Sequence, residues 1–100
     1  MVRNVEIESN RLTDFCRRHH IRKLSLFGSV TRDDFTPKSD VDVLVLFDPA
    51  FPVGFRIFDM EEELSGLLGG RRVDIVNEKF LNRRLSSRIL GEAQVQYEQG

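Results

Sequence analysis

The positions of the hydrophobic residues divide the chain into segments with helical spacing and segments with extended spacing. Near the start, Leu12, Phe15 and Cys16 recur at helical intervals after two residues that favour helix caps, which predicts a helix over residues 10–19. The next segment, residues 23–27, alternates and stops at a glycine. Such a pattern is typical of a short strand.

The most apolar segment of the chain is "DVDVLVLF", residues 40–47. Its second half is hydrophobic at consecutive positions, which predicts a strand in the interior of a sheet. The stretch before it, residues 28–39, contains Gly, Ser, Thr and Pro and therefore predicts a turn, with one helical turn after Ser29. If the two strands pair, this turn lies at the end of the sheet where the second strand begins.

The second half of the chain predicts two further helices and two further strands. The predicted segments are a helix over 55–68 that stops at a double glycine, a strand over 71–76, a helix over 81–92 and an edge strand over 93–99. The residues expected to face inward from the two helices are Phe55, Phe58, Met60, Leu64, Leu67, Leu68, Leu81, Leu85, Ile89 and Leu90.

The order of the segments predicts the fold class. A strand–helix–strand connection from residue 41 to residue 76 indicates that these two strands are parallel neighbours. The fold expected is α/β (α+β), a small mixed sheet of about four strands packed with helices. With 100 residues, we expect a single domain over residues 1–100.

Composition narrows the functional classes. The chain has 40% hydrophobic residues, eight phenylalanines and a formal net charge of −1, so a core is expected and nothing in the charge favours a nucleic-acid or membrane partner. Its longest apolar run, residues 43–47, is too short to span a bilayer. With no apolar signal segment at the start and a lone Cys16, which is expected in the core, we expect a cytoplasmic location.

Two aspartates stand at the start of the most apolar strand. Asp40 and Asp42 are two residues apart, so on a strand they face the same side, about 7 Å apart between Cα atoms. A divalent cation would relieve the repulsion between them, and oxygen ligands of this kind suit Mg²⁺. Alternatively, Asp40 caps the preceding turn and Asp42 is merely exposed at the strand end.

A third aspartate lies inside a later apolar strand. Asp74 is flanked by Val73 and Ile75, and a carboxylate there is costly unless a partner satisfies it. If its strand neighbours the first, the three carboxylates can surround one point, as in a two-metal site, with Asp74 placed to accept a proton from an attacking hydroxyl. Pairing with Arg71 or Arg72 is the structural alternative.

The turn before the acidic strand carries a Gly-Ser step. Gly28 ends a strand and Ser29 can begin a helical turn, whose free N–H groups and serine hydroxyl would bind an anion. Arg32 follows one turn later and could add positive charge to a phosphate site. Phosphates on one side and metal-binding carboxylates on the other are what phosphoryl transfer requires.

These residues together resemble a known family. Gly28-Ser29, Arg32, the run Ser39-Asp40-Val41-Asp42 and a later strand aspartate resemble the nucleotidyltransferase superfamily that includes DNA polymerase beta. Size and spacing are most similar to its minimal members, the MNT-domain proteins. The resemblance extends from residue 23 to the end of the chain.

The resemblance implies a function and a set of roles. It implies transfer of a nucleoside monophosphate from ATP to a hydroxyl, with Asp40, Asp42 and Asp74 as catalytic and metal-binding carboxylates for Mg²⁺. The residues implied to hold the nucleotide are Gly28, Ser29, Arg32 and Ser39. Many MNT proteins are antitoxins that bind a HEPN-domain ribonuclease toxin and adenylylate one of its tyrosines, which implies the same partner here.

Two departures from the family pattern leave other functions open. Thr31 and Asp33 stand where relatives often have Ala and Gly, which favours a catalytically weak module that neutralises its partner by binding alone. A small-molecule nucleotidyltransferase is a third hypothesis, although we expect no second domain that could enclose a sugar. A minimal enzyme would have to borrow surface from its protein substrate or from a second copy of itself.

Three charged clusters are expected to have structural roles. Residues 17–20 and 61–63 indicate solvated helix surfaces. The basic cluster at 83–88 indicates an exposed helix, with contact to an acidic partner or to RNA as the alternative. Phe51, Phe55 and Phe58 would form a protein-docking patch if some of them are exposed, although core packing is the expectation for Phe55 and Phe58.

Overall fold

A four-stranded mixed sheet organises the fold in the computed structural model, which describes residues 5–33, 35–36 and 38–99. The strands are β1 (Ile21–Phe27), β2 (Val41–Phe47), β3 (Val73–Asn77) and β4 (Gln94–Glu98). Their spatial order is β3-β2-β1-β4. β1 is antiparallel to β2 and β4, and β2 is parallel to β3. The predicted mixed sheet, the parallel pair and the edge position of the last strand are confirmed.

Three helices and two short 3₁₀ turns connect the strands. The helices are α1 (Ser9–Arg18), α2 (Arg56–Leu67) and α3 (Arg83–Glu92). The 3₁₀ turns are Gly28–Thr31, called the glycine turn below, and Glu78–Phe80. The helical turn predicted near Ser29 is therefore present. None of the helices in the described residues is long and apolar enough to cross a membrane.

The hydrophobic core lies between α1, α2 and one face of the sheet. Alternate β2 residues Val41, Val43 and Val45 are fully buried on this face, because successive strand side chains point to opposite sides. The other buried core residues include Leu12, Phe15, Cys16, Leu24, Leu26, Val30, Met60, Leu64, Val73 and Ile75. Cys16 is buried in this core, as the sequence predicts. Its burial raises the pKa of the thiol to about 12.

Two phenylalanines predicted for the core are exposed instead. The side chains of Phe55 and Phe58 are 88% and 63% exposed, whereas Met60 and Leu64 on the same helix are buried. Met60 and Leu64 are four residues apart and share a face, while Phe58 precedes Met60 by two residues and points away from it. The inward assignment of Phe55 and Phe58 was wrong because α2 packs on the sheet through the face that carries Met60 and Leu64.

The inward assignment of two leucines on α3 was also wrong. Leu85 and Leu90 are 49% and 46% exposed, and α3 contains no buried residue. α3 contacts the glycine turn rather than inserting a hydrophobic face into the core. Its start is fixed by Asn82, whose side chain accepts a hydrogen bond from the Leu85 backbone N–H at 2.9 Å.

Two glutamates predicted to be merely solvated have structural contacts. Glu61 on α2 accepts a hydrogen bond from the Ile75 backbone N–H at 2.8 Å, which ties the helix to the edge strand β3. Glu63 binds Arg18, and its Oε1 lies 2.8 Å from His19 Nε2. Glu61 and Glu63 are therefore half-buried, contrary to the solvated-surface prediction, whereas Arg18 is exposed as predicted.

Candidate active site

The parallel pairing of β2 and β3 brings two of the candidate aspartates together. Asp42 and Asp74 are register partners in the two strands, so their side chains leave the same face of the sheet. A hydrogen bond of 2.8 Å from the Val41 backbone N–H to the Arg72 carbonyl continues the pairing at the start of both strands. The convergence of these two acids follows from strand topology.

The pKa of Asp42 is shifted by its burial and by neighbouring charged residues. Burial, followed by the negative charges of Asp74 and Asp40, raises the pKa of Asp42 above its ordinary value. The positive charge of Arg32 partly opposes this shift. Asp42 therefore lies close enough to Asp40, Asp74 and Arg32 for their charges to affect its pKa.

The glycine turn touches the acidic strand. Phe27, the last residue of β1, pairs with Asp42, and Gly28 follows with φ +75°. A Cβ atom built on Gly28 would lie 2.4 Å from Asp42 Oδ2. Only glycine allows both this backbone conformation and this approach to the carboxylate.

The remaining residues of the turn are held by local hydrogen bonds. The Thr31 hydroxyl donates to the Gly28 carbonyl at 2.7 Å, and the Arg32 N–H donates to the Ser29 carbonyl at 2.9 Å. The Ser29 hydroxyl donates to the Asp40 carbonyl at 3.5 Å. Thr31, a departure from the family pattern, therefore braces the turn.

Ser39 contributes to the loop before β2. Its hydroxyl accepts a hydrogen bond from the Thr36 backbone N–H at 3.0 Å, and the Ser39 N–H donates to the Thr36 carbonyl at 3.0 Å. These contacts fix the approach to Asp40. Direct binding of nucleotide by Ser39 stays a prediction.

The alternative pairing of Asp74 with the adjacent arginines does not occur among the described residues. The Arg71 guanidinium lies 4.9 Å from the centre of the Phe35 ring and donates to the Thr36 carbonyl at 3.4 Å. Arg72 lines, with Asp74, a cleft of about 410 Å³ whose walls also include Asp40, Glu61 and Val73. Asp74 is exposed at this cleft.

Two residues near the site were missed by sequence reasoning. Glu61 lines the acidic cleft and holds β3 at the residue after Asp74. Glu92, at the end of α3, places Oε2 3.7 Å from Arg32 Nη1. Neither contact has a local signal, because each partner is distant in sequence and is brought close only by the fold.

The carboxylates meet the requirements of Mg²⁺ only together with a nucleotide. Within the described part of the chain, no three His, Cys, Asp or Glu side chains converge closely enough to hold a metal ion by themselves. Mg²⁺ usually takes one or two carboxylates and completes its shell with substrate phosphates and water. The paired Asp42 and Asp74, with Asp40 beside them, fit that mode of binding.

Comparison with known families identifies the fold. The family model described as "Nucleotidyltransferase domain" matches residues 9–95. The chain belongs to this nucleotidyltransferase family. The resemblance inferred from the Gly-Ser turn and the three aspartates is thereby confirmed, and the enzyme class, a nucleotidyltransferase, follows from the family.

Relatives of similar length share about a third of the residues. The chain is 36% identical over 75 residues to protein adenylyltransferase MntA of Thermococcus cleftensis, covering 75% of this chain and 74% of the relative. It is also 36% identical to a minimal nucleotidyltransferase of known structure, with a TM-score of 0.72 and 86% of each chain covered.

More distant nucleotidyltransferases share the fold. One is a toxin–antitoxin complex with AMP-PNP (17% identity, TM-score 0.74, 93% of this chain and 75% of that chain covered). Another is an MNT antitoxin in complex with the tri-AMPylated HEPN toxin of Shewanella oneidensis (17% identity, TM-score 0.65, 91% and 70% covered). At these identities the likeness concerns the fold.

Proposed function

We propose that this nucleotidyltransferase is a Mg²⁺-dependent protein adenylyltransferase that transfers AMP from ATP to a tyrosine of a HEPN-domain toxin, and so acts as an antitoxin. The observation that carries the proposal is the contact between the glycine turn and Asp42, beside Asp74. The relative named protein adenylyltransferase MntA and the complexes of similar fold with HEPN toxin support the substrate and partner.

In this proposal the glycine turn binds the triphosphate of ATP, and the three aspartates bind the metal ion that accompanies it. Backbone N–H groups of the turn and the Ser29 hydroxyl bind the triphosphate, and Arg32 adds positive charge. Asp40, Asp42 and Asp74 would hold Mg²⁺, which when bound would neutralise phosphate charge. The approach of Gly28 to Asp42 Oδ2 keeps the phosphate and carboxylate sides of the site together.

Asp74 acts on the acceptor. Its exposed carboxylate at the cleft accepts the proton of the tyrosine hydroxyl. The tyrosine oxygen then bonds to the α-phosphorus of ATP, the bond from that phosphorus to the bridging oxygen breaks, and pyrophosphate leaves. In this scheme the protein partner supplies the acceptor and covers the open cleft.

The test is the mass of the partner after reaction. A purified HEPN-domain toxin is incubated with the protein, ATP and Mg²⁺, and its intact mass should rise by whole AMP increments. Asp42→Asn should slow the transfer about 100-fold or more, the size expected when a group that stabilises the reacting phosphates is lost. Asp59→Asn, an exposed carboxylate change on α2, is the control that should leave the rate unchanged.

The proposal fails if the wild-type protein adds no AMP, or if Asp40→Asn/Asp42→Asn transfers it at the wild-type rate. A second candidate function, neutralisation by binding alone, is favoured by Thr31 and Asp33, which stand where relatives often have Ala and Gly. In that case the double variant would protect against the toxin as well as the wild type does.

We place this reaction in the cytoplasm. ATP and reduced thiols are both found there, and the free thiol of buried Cys16 agrees with a reducing compartment. Fractionation of cells that express the tagged protein would test the assignment.

A further inference from the structure

The helix α3 has hydrophobic side chains that the described fold does not cover. Its half-buried residues are Ser86, Ile89 and Glu92, which form one line along the helix. Leu85 and Leu90 flank this line on opposite sides and remain 49% and 46% exposed. An amphipathic helix normally buries such residues, so a partner surface is expected on α3.

The exposed side of the same helix is basic. Arg83, Arg84 and Arg88 are exposed, and none of them forms an ion pair with a residue that the structure describes. Leu85 lies beside Arg88 one turn away, and Leu90 lies beside Arg83 on the other flank. The surface therefore combines apolar edges with uncompensated positive charge, which complements acidic side chains flanked by apolar ones.

The position of α3 connects this surface to the candidate active site. α3 contacts the glycine turn, and Glu92 at its end pairs with Arg32 at 3.7 Å. A protein bound to α3 would stand next to the residues that hold the triphosphate. A small transferase with an open cleft needs its acceptor held at that place, because positioning supplies much of the rate of such reactions.

We propose that α3 is the docking element for the acceptor protein, with Leu85 and Leu90 packing against apolar side chains and the three arginines facing acidic ones. The inference rests on the proposed function, since it concerns the partner of the same site. It assigns to α3 the affinity and orientation of the acceptor and leaves nucleotide binding to the glycine turn and the aspartates.

Two double variants test the two parts of the surface. Leu85→Asp/Leu90→Asp removes the apolar edges, and Arg84→Glu/Arg88→Glu reverses the charge at two exposed positions that form no ion pair with a described residue. Each should weaken binding of the purified HEPN-domain protein about tenfold or more in isothermal titration. The charge-reversal variant should also lose most of the dependence of the association rate on salt.

A matched control and a second ligand keep the test specific. Phe55→Asp/Phe58→Asp changes two exposed hydrophobic residues on α2 and should leave partner affinity within about twofold of wild type, as expected for residues outside the contact. All variants should bind a non-hydrolysable ATP analogue as the wild type does, and circular dichroism should show wild-type helix content.

The outcomes separate this inference from the proposed function. If AMP transfer occurs and both α3 variants bind the partner at wild-type strength, the docking inference is wrong and the proposed function stands. If the partner binds through α3 but gains no AMP, the proposed function is wrong and the docking surface stands. Loss of a dimer of this chain, or loss of single-stranded RNA binding, with unchanged partner affinity would assign α3 to another occupant and overturn the inference.

Discussion

At the residue scale, Gly28 is constrained by its own backbone and by its neighbour. Its φ of +75° disfavours any other residue, and a Cβ would meet Asp42 Oδ2 at 2.4 Å. Gly69 has the same φ of +75° but nothing within 4 Å of a Cβ. Substitutions at Gly28 and Gly69 therefore share the same backbone strain, and only the substitution at Gly28 also disturbs the Asp42 carboxylate.

Gly28→Ala should lower both stability and nucleotide affinity, whereas Gly69→Ala should lower stability alone. The left-handed backbone costs about 1–2 kcal/mol in each variant, and the displaced Asp42 adds a further loss only at Gly28. Thermal unfolding and titration with a non-hydrolysable ATP analogue measure the two effects. Equal nucleotide affinity in the two variants would mean that the glycine turn does not border the nucleotide.

The raised pKa of Asp42 predicts a pH-dependent gain in stability on its removal. Because the folded protein binds this proton more tightly than the unfolded chain, the loss of stability is absent well below the ordinary pKa of 3.8. It grows as pH rises from 3.8 to the raised pKa and is constant above that. Without Mg²⁺, Asp42→Asn should therefore raise the Tm by a few degrees at pH 7 and not at pH 3. A variant less stable than wild type at pH 7 would contradict the destabilisation expected from burial of the Asp42 charge and from its repulsion by Asp74 and Asp40.

At the element scale, the rotation of α2 is set by which side chains reach the sheet. Met60 is buried and Phe58 is 63% exposed, although both were predicted to face inward. Met60→Ala should lower the free energy of unfolding by about 2–4 kcal/mol because it leaves a cavity. Phe58→Ala should cost less than about 0.5 kcal/mol, as surface changes do. Denaturant unfolding compares the two, and equal losses would place Phe58 in the core.

The strands and their acids were predictable, and several helix contacts were not. The alternating pattern predicts both strands, and the rule for strand–helix–strand connections predicts that they are parallel neighbours. These two inferences are enough to bring Asp42 and Asp74 close together. The phase of α2 and the exposure of Leu85 depend on what packs against each helix, which the helical pattern alone does not state. The pair of Glu92 with Arg32 joins residues far apart in sequence, so only the fold reveals it.

At the scale of the whole molecule, the hydrophobic core and the candidate active site lie on opposite faces of one sheet. α1 and α2 cover the face that carries Val43, while Asp42 and Asp74 leave the other face beside the glycine turn. α3 contacts this turn, and its leucines and arginines are exposed. We expect this arrangement to leave the cleft lined by Asp40 and Asp74 open to the proposed protein acceptor.

A double-mutant cycle on nucleotide binding tests most directly whether the acids form one site. Wild type, Asp42→Asn, Asp74→Asn and the double variant are titrated with a non-hydrolysable ATP analogue in the presence of Mg²⁺. Each single change should weaken binding about tenfold or more, which is about 1.4 kcal/mol. The double variant should lose less than the sum of the two, by about 0.5 kcal/mol or more, because neighbours around one ion are coupled. Wild-type affinity in Asp74→Asn, or two losses that simply add, would show that Asp42 and Asp74 do not share a metal–nucleotide site.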